Sequence, residues 1–445
     1  MNEPVISVGI LTESAINFEL YGEFNSSAYP RKLSGKFSAF IRDKKIVLTK
    51  EGNELLTKEE IVITPADFET ESFLLRDVKI GKNFHWEKYE DQRFRGSLKL
   101  IIEDDKITAV NIIPLEEYLL SVISSEMSAS SSLELLKAHA VVSRSWLIAQ
   151  LNNKKQKKDS KISSEFIINE KEIIKWYDRE EHLLYDFCSD DHCQRYQGVL
   201  RLVNDAAFAA IEETRGMVLT YNGEVCDTRF SKCCGGITES FENVWAPVKY
   251  PYLSSIIDYK FEPDGYFVDL TKEDFAVKWI KGSPHAFCNT TDQKILSQVL
   301  VDYDQTTRDF YRWKVEYTQD EISEIIFKKS GIDFGSIKDL LPAERGYSGR
   351  ITKLRILGTK SEILVGKELE IRKWLSKSHL YSSAFIVHKE KIKNGIPERF
   401  ILEGAGWGHG VGLCQIGAAV MGEMGYSFDE ILSHYFKGTR LEKAY

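Results

Sequence analysis

Five glycines occupy every second position of one nine-residue stretch: Gly404, Gly406, Gly408, Gly410 and Gly412 alternate with Ala405, Trp407, His409 and Val411. Few backbones tolerate that pattern. In an extended strand, period two puts all the glycines on one face and all the side chains on the other. Such a strand loses conformational entropy on ordering, so the bare face implies that something approaches closely. Two occupants fit: a packed helix, for which Gly417, Ala418 and Ala419 offer a small-residue surface, or a flat polysaccharide. A phosphate-binding loop is excluded, because no Gly-Lys-Ser/Thr follows and the Gly-x-Gly-x-x-Gly spacing is not met. Further on, Ser427 with Glu430 forms the capping box of a final helix that Gly438 ends.

A second constraint lies between Pro114 and Gln150. Leu115, Leu119, Val122 and Ile123 recur at helical spacing and predict a helix from about Leu115 to Ser124. The serine-rich run from Ser125 to Ser132 competes for backbone hydrogen bonds and predicts a break, with Glu126 inside it. Ser131 with Glu134 then reads as the capping box of a second helix. That helix carries Leu133, Leu136, Ala140, Arg144 and Leu147 on one face, so Arg144 points toward the core and needs an anionic or carbonyl partner. A glutamate just past a helix C-terminus feels the negative end of the dipole, worth roughly 0.3–1 kcal/mol. Acting as an acid therefore requires desolvation as well, from Met127 and neighbouring aromatics. A salt bridge to Arg144 would oppose that, so Arg144 reads as a positioning group for substrate or backbone.

The chain has 445 residues, enough core for two to three domains. Its 43% apolar and 28% charged content is that of a globular protein, and the net charge of −8 with dispersed basic residues argues against nucleic acid as a partner. Lys154–Lys158 is the one basic cluster and reads as a solvated loop. No window approaches a transmembrane segment. The N-terminus lacks the basic flank and cleavage site of a signal peptide and reads as a first strand from Val5 to Leu11.

The pattern of elements predicts an α+β fold. Residues 1–94 form a β-rich N-terminal region, with short strands at Phe18–Tyr21, Ser38–Ile41, Lys45–Leu48 and Glu60–Ile63. Residues 95–249 and 346–445 form a catalytic-type core, interrupted by a mixed subdomain at 250–345 with a helix near Gln319–Ser330. Two hairpins are expected, one across Asp104-Asp105 and one turning at Asn222-Gly223.

The seven cysteines are odd in number and unevenly spread, which argues against a pure disulfide framework. His182, Cys188, His192 and Cys193 fit a tetrahedral, structural zinc site, provided a tight turn separates the adjacent ligands 192 and 193. Cys226, Cys233 or Cys234 are alternatives to His182 as a ligand.

Several stretches also recur together: Arg95–Leu98, Ile113–Leu119, Ser125-Glu126-Met127, Leu136–Ser145, Gly235-Gly236 through Trp245, Gly406–Gly412 with Gln415–Ala418, and His434–Thr439. In this combination and order, over about residues 95–445, the chain resembles the stage II sporulation protein D and amidase-enhancer family. The resemblance implies peptidoglycan as substrate. It implies lytic transglycosylase action on glycan strands stripped of stem peptides, between N-acetylmuramic acid and N-acetylglucosamine units, leaving 1,6-anhydro-muramic ends. The family's acid/base glutamate falls on Glu126, and its metal-binding cluster on Cys188, His192 and Cys193. No further cofactor is needed for that chemistry. Two positions depart: Ile416 stands where an aromatic is usual, and Cys233-Cys234 where many members carry Ser or Thr. Arg144, Ser231, Lys232, Trp407, His409 and Gln415 are the candidates for substrate contact. The rival expectation is a non-catalytic module that binds glycan and stimulates a partner N-acetylmuramoyl-L-alanine amidase. Either role implies an extracytoplasmic or cell-envelope location.

Overall fold

Alternating apolar residues in the first hundred positions fold as that alternation predicts, into strands with one face buried. The computed structural model describes residues 2–81, 87–128, 131–156, 166–176, 182–190, 193–199, 205–260, 269–299 and 309–445. It shows an α+β chain with a β-rich N-terminal part and two units, each built from separated segments.

The first unit comprises Met1–Ala129, Arg179–Met217 and Lys443–Tyr445. Its strands are β1 (Val5–Glu13), β2 (Ala15–Ser26), β3 (Tyr29–Arg42), β4 (Lys45–Lys50), β5 (Asn53–Lys58), β6 (Ile61–Pro65), β7 (Ser72–Ile80), β8 (Lys88–Phe94), β9 (Ser97–Glu103) and β10 (Lys106–Pro114). They form one large sheet in which β1 pairs with β10 on one side and, in parallel, with Phe187–Cys188 on the other. The β9–β10 hairpin turns at Asp104 and Asp105, both with positive φ (48° and 60°), which matches the twist of a two-residue hairpin turn. Pro114 then delivers the chain into α1 (Leu115–Glu126), which packs on the helix Asp205–Glu213.

Helix α1 runs further than its sequence suggests. Ser124 bonds back to the carbonyl of Leu120 (2.8 Å), and the Met127 N–H still reaches Ile123 O (2.9 Å). Ser124 is satisfied inside the helix, so Glu126 is its last residue and does not sit in a break.

The second unit comprises Ser130–Asp178 and Val218–Glu442. Its longest helix is α2 (Leu133–Gln156), in which Arg144 is fully buried, as its place on the apolar face requires. The predicted cap is displaced by one residue. Ser132 accepts the Leu135 N–H (3.3 Å), while Ser131 donates to Gln298 O and Glu134 accepts the N–H of Phe428. Lys154 continues the helix, and 157–165 lie outside the described residues.

Asn222 and Gly223, both with positive φ, turn a short hairpin as expected. The strands Ile337–Arg345, Ile351–Gly358 and Glu362–Gly366 form a sheet joined in parallel by Glu172–Lys175. The helix Gln319–Ser330 packs beside them, opened by a Thr318–Glu321 capping box and closed by left-handed Gly331. Ile322, Ile326, Leu340, Leu354, Ile356, Phe385 and Phe400 form this unit's apolar core. Among the described residues, no helix is long and apolar enough to cross a membrane.

Candidate functional site

In the first unit, the face of α1 that bears Tyr118, Ser121 and Glu126 carries the segment 193–199. Tyr118 stacks on Tyr196 with ring centroids 4.7 Å apart, and the Tyr196 hydroxyl donates to Asn111 Oδ1 (2.6 Å). Ser121 Oγ donates to Gly198 O (2.7 Å) and accepts the Gln197 N–H. At the end of this face, half-buried Glu126 accepts the Arg195 N–H through Oε1 at 3.3 Å. Met127 beside it is buried. Tyr118 is fully buried, and burial, the nearby thiols and Glu126 hold its phenol well above the usual range, so it stays protonated.

The same segment begins at the cysteine loop. The Cys193 N–H bonds to Asp190 O (3.0 Å). Cys193 Sγ lies 3.6 Å from His182 Nε2 and accepts the Cys188 N–H (3.5 Å). The ligand atoms of His182, Cys188 and Cys193 all fall within 4.8 Å of one another, a donor set of two sulfurs and one nitrogen suited to zinc. His192 lies outside the described residues.

In the second unit, the glycine run is not the extended strand that period two predicts. The strand Arg399–Ala405 stops at its edge, and Gly406, Gly408, Gly410 and Gly412 all take positive φ, between 74° and 91°. Left-handed residues at every second position wind the chain into a loop that other residues adopt only with strain. What approaches the glycines is neither helix nor sugar. A methyl on Gly412 would meet Arg229 O at 2.2 Å, one on Gly406 Cys233 O at 2.8 Å, and one on Gly410 the Arg350 guanidinium at 2.4 Å.

The loop is thereby clamped on the segment 229–235, which brings five of the six sequence candidates for substrate contact together. Phe230–Ser231 pairs in parallel with Leu413–Cys414, Cys233 and Trp407 exchange backbone hydrogen bonds, and the Ile416 N–H reaches Lys232 O. Lys232 Nζ donates to Val299 O (2.7 Å), and Ser231 is buried. One face of Trp407 is covered by Phe310, with centroids 4.7 Å apart, which leaves less ring for a sugar. His409 is half-buried, edge-on to Trp245. Burial, with the guanidiniums of Arg229 and Arg350 nearby, pushes its pKa down to about 3. It is neutral at physiological pH, and its Nδ1 accepts the Val411 N–H (3.0 Å), so the other ring nitrogen carries the proton. Gln415 is buried against His139, Nε2 to Nε2 at 3.4 Å. Arg144 sits on the same helix as His139, in the core.

A family model for Stage II sporulation proteins matches residues 103–221, and one for a domain of unknown function matches 239–412. Stage II sporulation protein D of Bacillus subtilis is 24% identical over 337 residues, 76% of each chain. An uncharacterized protein of Brachyspira hyodysenteriae is 26% identical over 345 residues, 78% of this chain and 71% of its own. The amidase enhancer of B. subtilis is 27% identical over 247 residues, 52% of this chain and 32% of its own. The chain thus carries a Stage II sporulation protein region and is similar to stage II sporulation protein D over about three quarters of its length.

Two further groups, absent from the sequence candidates, hold the second unit's loops. Glu239 is fully buried, yet its carboxylate accepts from the N–H groups of Ser240, Tyr347 and Ser348, from Asn243 Nδ2 and from Ser348 Oγ (2.6 Å). Arg350, also fully buried, donates to Cys234 O, Gly408 O and Ser348 Oγ, so it ties the glycine loop to the Glu239 pocket. The spacing Glu239–Asn243 was a visible signal. Arg350 had none, since its partners are carbonyls of residues 58 and 116 positions away.

Proposed function

We propose that this chain is a peptidoglycan lytic transglycosylase that cuts glycan strands denuded of stem peptides, with Glu126 as its single acid/base group. The observation that carries the reading is the state of that carboxyl. It stands at the end of α1, half sheltered, with one long backbone hydrogen bond among the described residues. A group held so lightly is free to turn to a substrate oxygen. As acid, it protonates the glycosidic oxygen while the bond from the muramic acid C1 to that oxygen breaks, and the N-acetylglucosamine end leaves as an alcohol. As base, it takes the proton of the muramic acid's own 6-hydroxyl as that oxygen bonds to C1, closing the 1,6-anhydro ring. Proton and electron pair both balance, and intramolecular attack supplies the proximity that a second catalytic group would otherwise provide.

A zinc ion on His182, Cys188 and Cys193 is part of this reading. A protein-ligated zinc there has a structural role. It fixes the start of segment 193–199, and thereby the Arg195 N–H that meets Glu126. Metal analysis giving well under one equivalent of zinc per chain after metal-replete preparation would remove it.

The second reading, a glycan-binding enhancer of a partner amidase, is favoured by the 27% match to the amidase enhancer. Digestion of purified glycan with and without stem peptides, followed by mass spectrometry of the product ends, separates the two. The enzyme releases anhydro-muramic ends, and Glu126→Gln lowers that release by about 10²–10⁴-fold. Glycan binding without any such ends from the unaltered protein leaves the enhancer.

A further inference from the structure

A second cluster of soft ligands lies wholly within the second unit. Cys234, Cys288 and Cys414 converge on Asp258, and all four side chains are at most 2% exposed. Their ligand atoms lie within 4.8 Å of one another. Cys234 Sγ is 3.5 Å from Cys288 Sγ and 3.3 Å from Asp258 Oδ2. A tetrahedron with metal–sulfur bonds of about 2.3 Å and metal–oxygen bonds of about 2.0 Å has edges of about 3.8 Å between sulfurs and about 3.5 Å from sulfur to oxygen. The observed edges are within a few tenths of an ångström of those values.

The surroundings orient these groups. The Tyr435 hydroxyl donates to Asp258 Oδ1 (2.6 Å), leaving Oδ2 turned to the thiols. Backbone N–H groups point at sulfur, Cys234 N to Cys414 Sγ (3.2 Å) and Gly236 N to Cys234 Sγ (3.4 Å). Cys414 is also the N-cap of the helix Gln415–Glu423, where the dipole favours a thiolate. Gly417 leaves room for this: a methyl there would stand 2.7 Å from both carboxylate oxygens. His434 Nε2 stands 3.8 Å from Asp258 Oδ1, the oxygen turned away from the thiols.

We propose that Cys234, Cys288, Cys414 and Asp258 form a mononuclear, structural zinc site. Thiols of a polynuclear iron–sulfur cluster ligate different metal atoms and stand farther apart than these. The hard carboxylate disfavours copper(I). The site ties four positions, Cys234, Asp258, Cys288 and Cys414, spaced 24, 30 and 126 residues apart along the chain, and among the described residues from 232 to 292 the helices are all short. Cys233 is the neighbouring thiol, and its backbone is committed to Trp407.

The test counts metal in the full chain prepared with zinc. Native mass spectrometry and plasma emission should show Cys288→Ser carrying one zinc fewer than the unaltered protein. Cys188→Ser with Cys193→Ser, which removes the first unit's thiols, should retain this ion. Replacing it with cobalt(II) in that double variant should give thiolate charge-transfer and tetrahedral d–d bands. Tyr435→Phe, which keeps the fold's packing, should release zinc to a chelator at about 10–100-fold lower free chelator concentration. Equal zinc in the unaltered protein and a folded Cys288→Ser would overturn the proposal, as would alkylation mapping that finds Cys234, Cys288 or Cys414 in a disulfide. Zinc lost in Cys233→Ser but kept in Asp258→Asn would overturn the carboxylate's place in it.

Discussion

Glu126 and Glu239 are both glutamates in sheltered surroundings, and they are held in opposite ways. Among the described residues Glu126 has a single long hydrogen bond, from a backbone N–H, whereas Glu239 has five donors and no exposure. A carboxylate bonded five times over is committed to its donors, because turning away would strand them with no water to replace it. It organises loops and has no oxygen left over for a substrate. The contrast separates a candidate for chemistry from a structural anchor better than burial alone does.

Exchange of each for glutamine tests that difference. Glu126→Gln should abolish anhydro-end formation by the factor given above while shifting stability by less than about 0.5 kcal/mol. Glu239→Gln should cost about 3 kcal/mol in urea unfolding, because an amide N–H₂ then faces the Ser348 donors. A similar loss of stability in both variants would erase the distinction.

Acid should weaken the second unit through its histidines. Burial is the first cause in each of three cases, holding His139 and His409 at a pKa of about 3 and His379 at about 4. The unfolded chain protonates these rings near 6.5 and the folded one does not. Their contribution is therefore complete above pH 6.5 and is lost as pH falls from there toward 4 and 3. Unfolding midpoints measured between pH 6.5 and 4.5 should fall, and His379→Gln should reduce the histidine part of that slope by about a third. The smallest effect is at α2: Ser132→Ala should cost about 1 kcal/mol, as expected for an N-cap, and this places the cap at 132 and not at 131.

Local chemistry was legible in the sequence wherever a few neighbouring residues decide the outcome. Asp104-Asp105 and Asn222-Gly223 turn hairpins because both tolerate positive φ, and Thr318 with Gly331 bounds a helix because cap and stop are both in the string. The helix end at Glu126 was hidden, since a serine that bonds back to its own helix reads the same as one that leaves it. The glycine run misled for a related reason. Alternation reveals a period of two but not the sign of φ, and the loop's shape is set by Arg350 and by the carbonyls of 229–235. The thiols around Asp258 were countable but could not be grouped, because proximity across 54 and 126 or more residues is a property of the folded chain.

The interleaving of the two units has a practical outcome for anyone dissecting this molecule. Strand β1 has Phe187–Cys188 as one of its neighbours, and Glu362–Gly366 has Glu172–Lys175. A fragment ending at 129, or one starting at 218, would therefore present an open sheet edge to solvent, ready to pair with another molecule. Dissection into halves should yield aggregates, so each unit is better interrogated by substitution within the whole polypeptide than by excision.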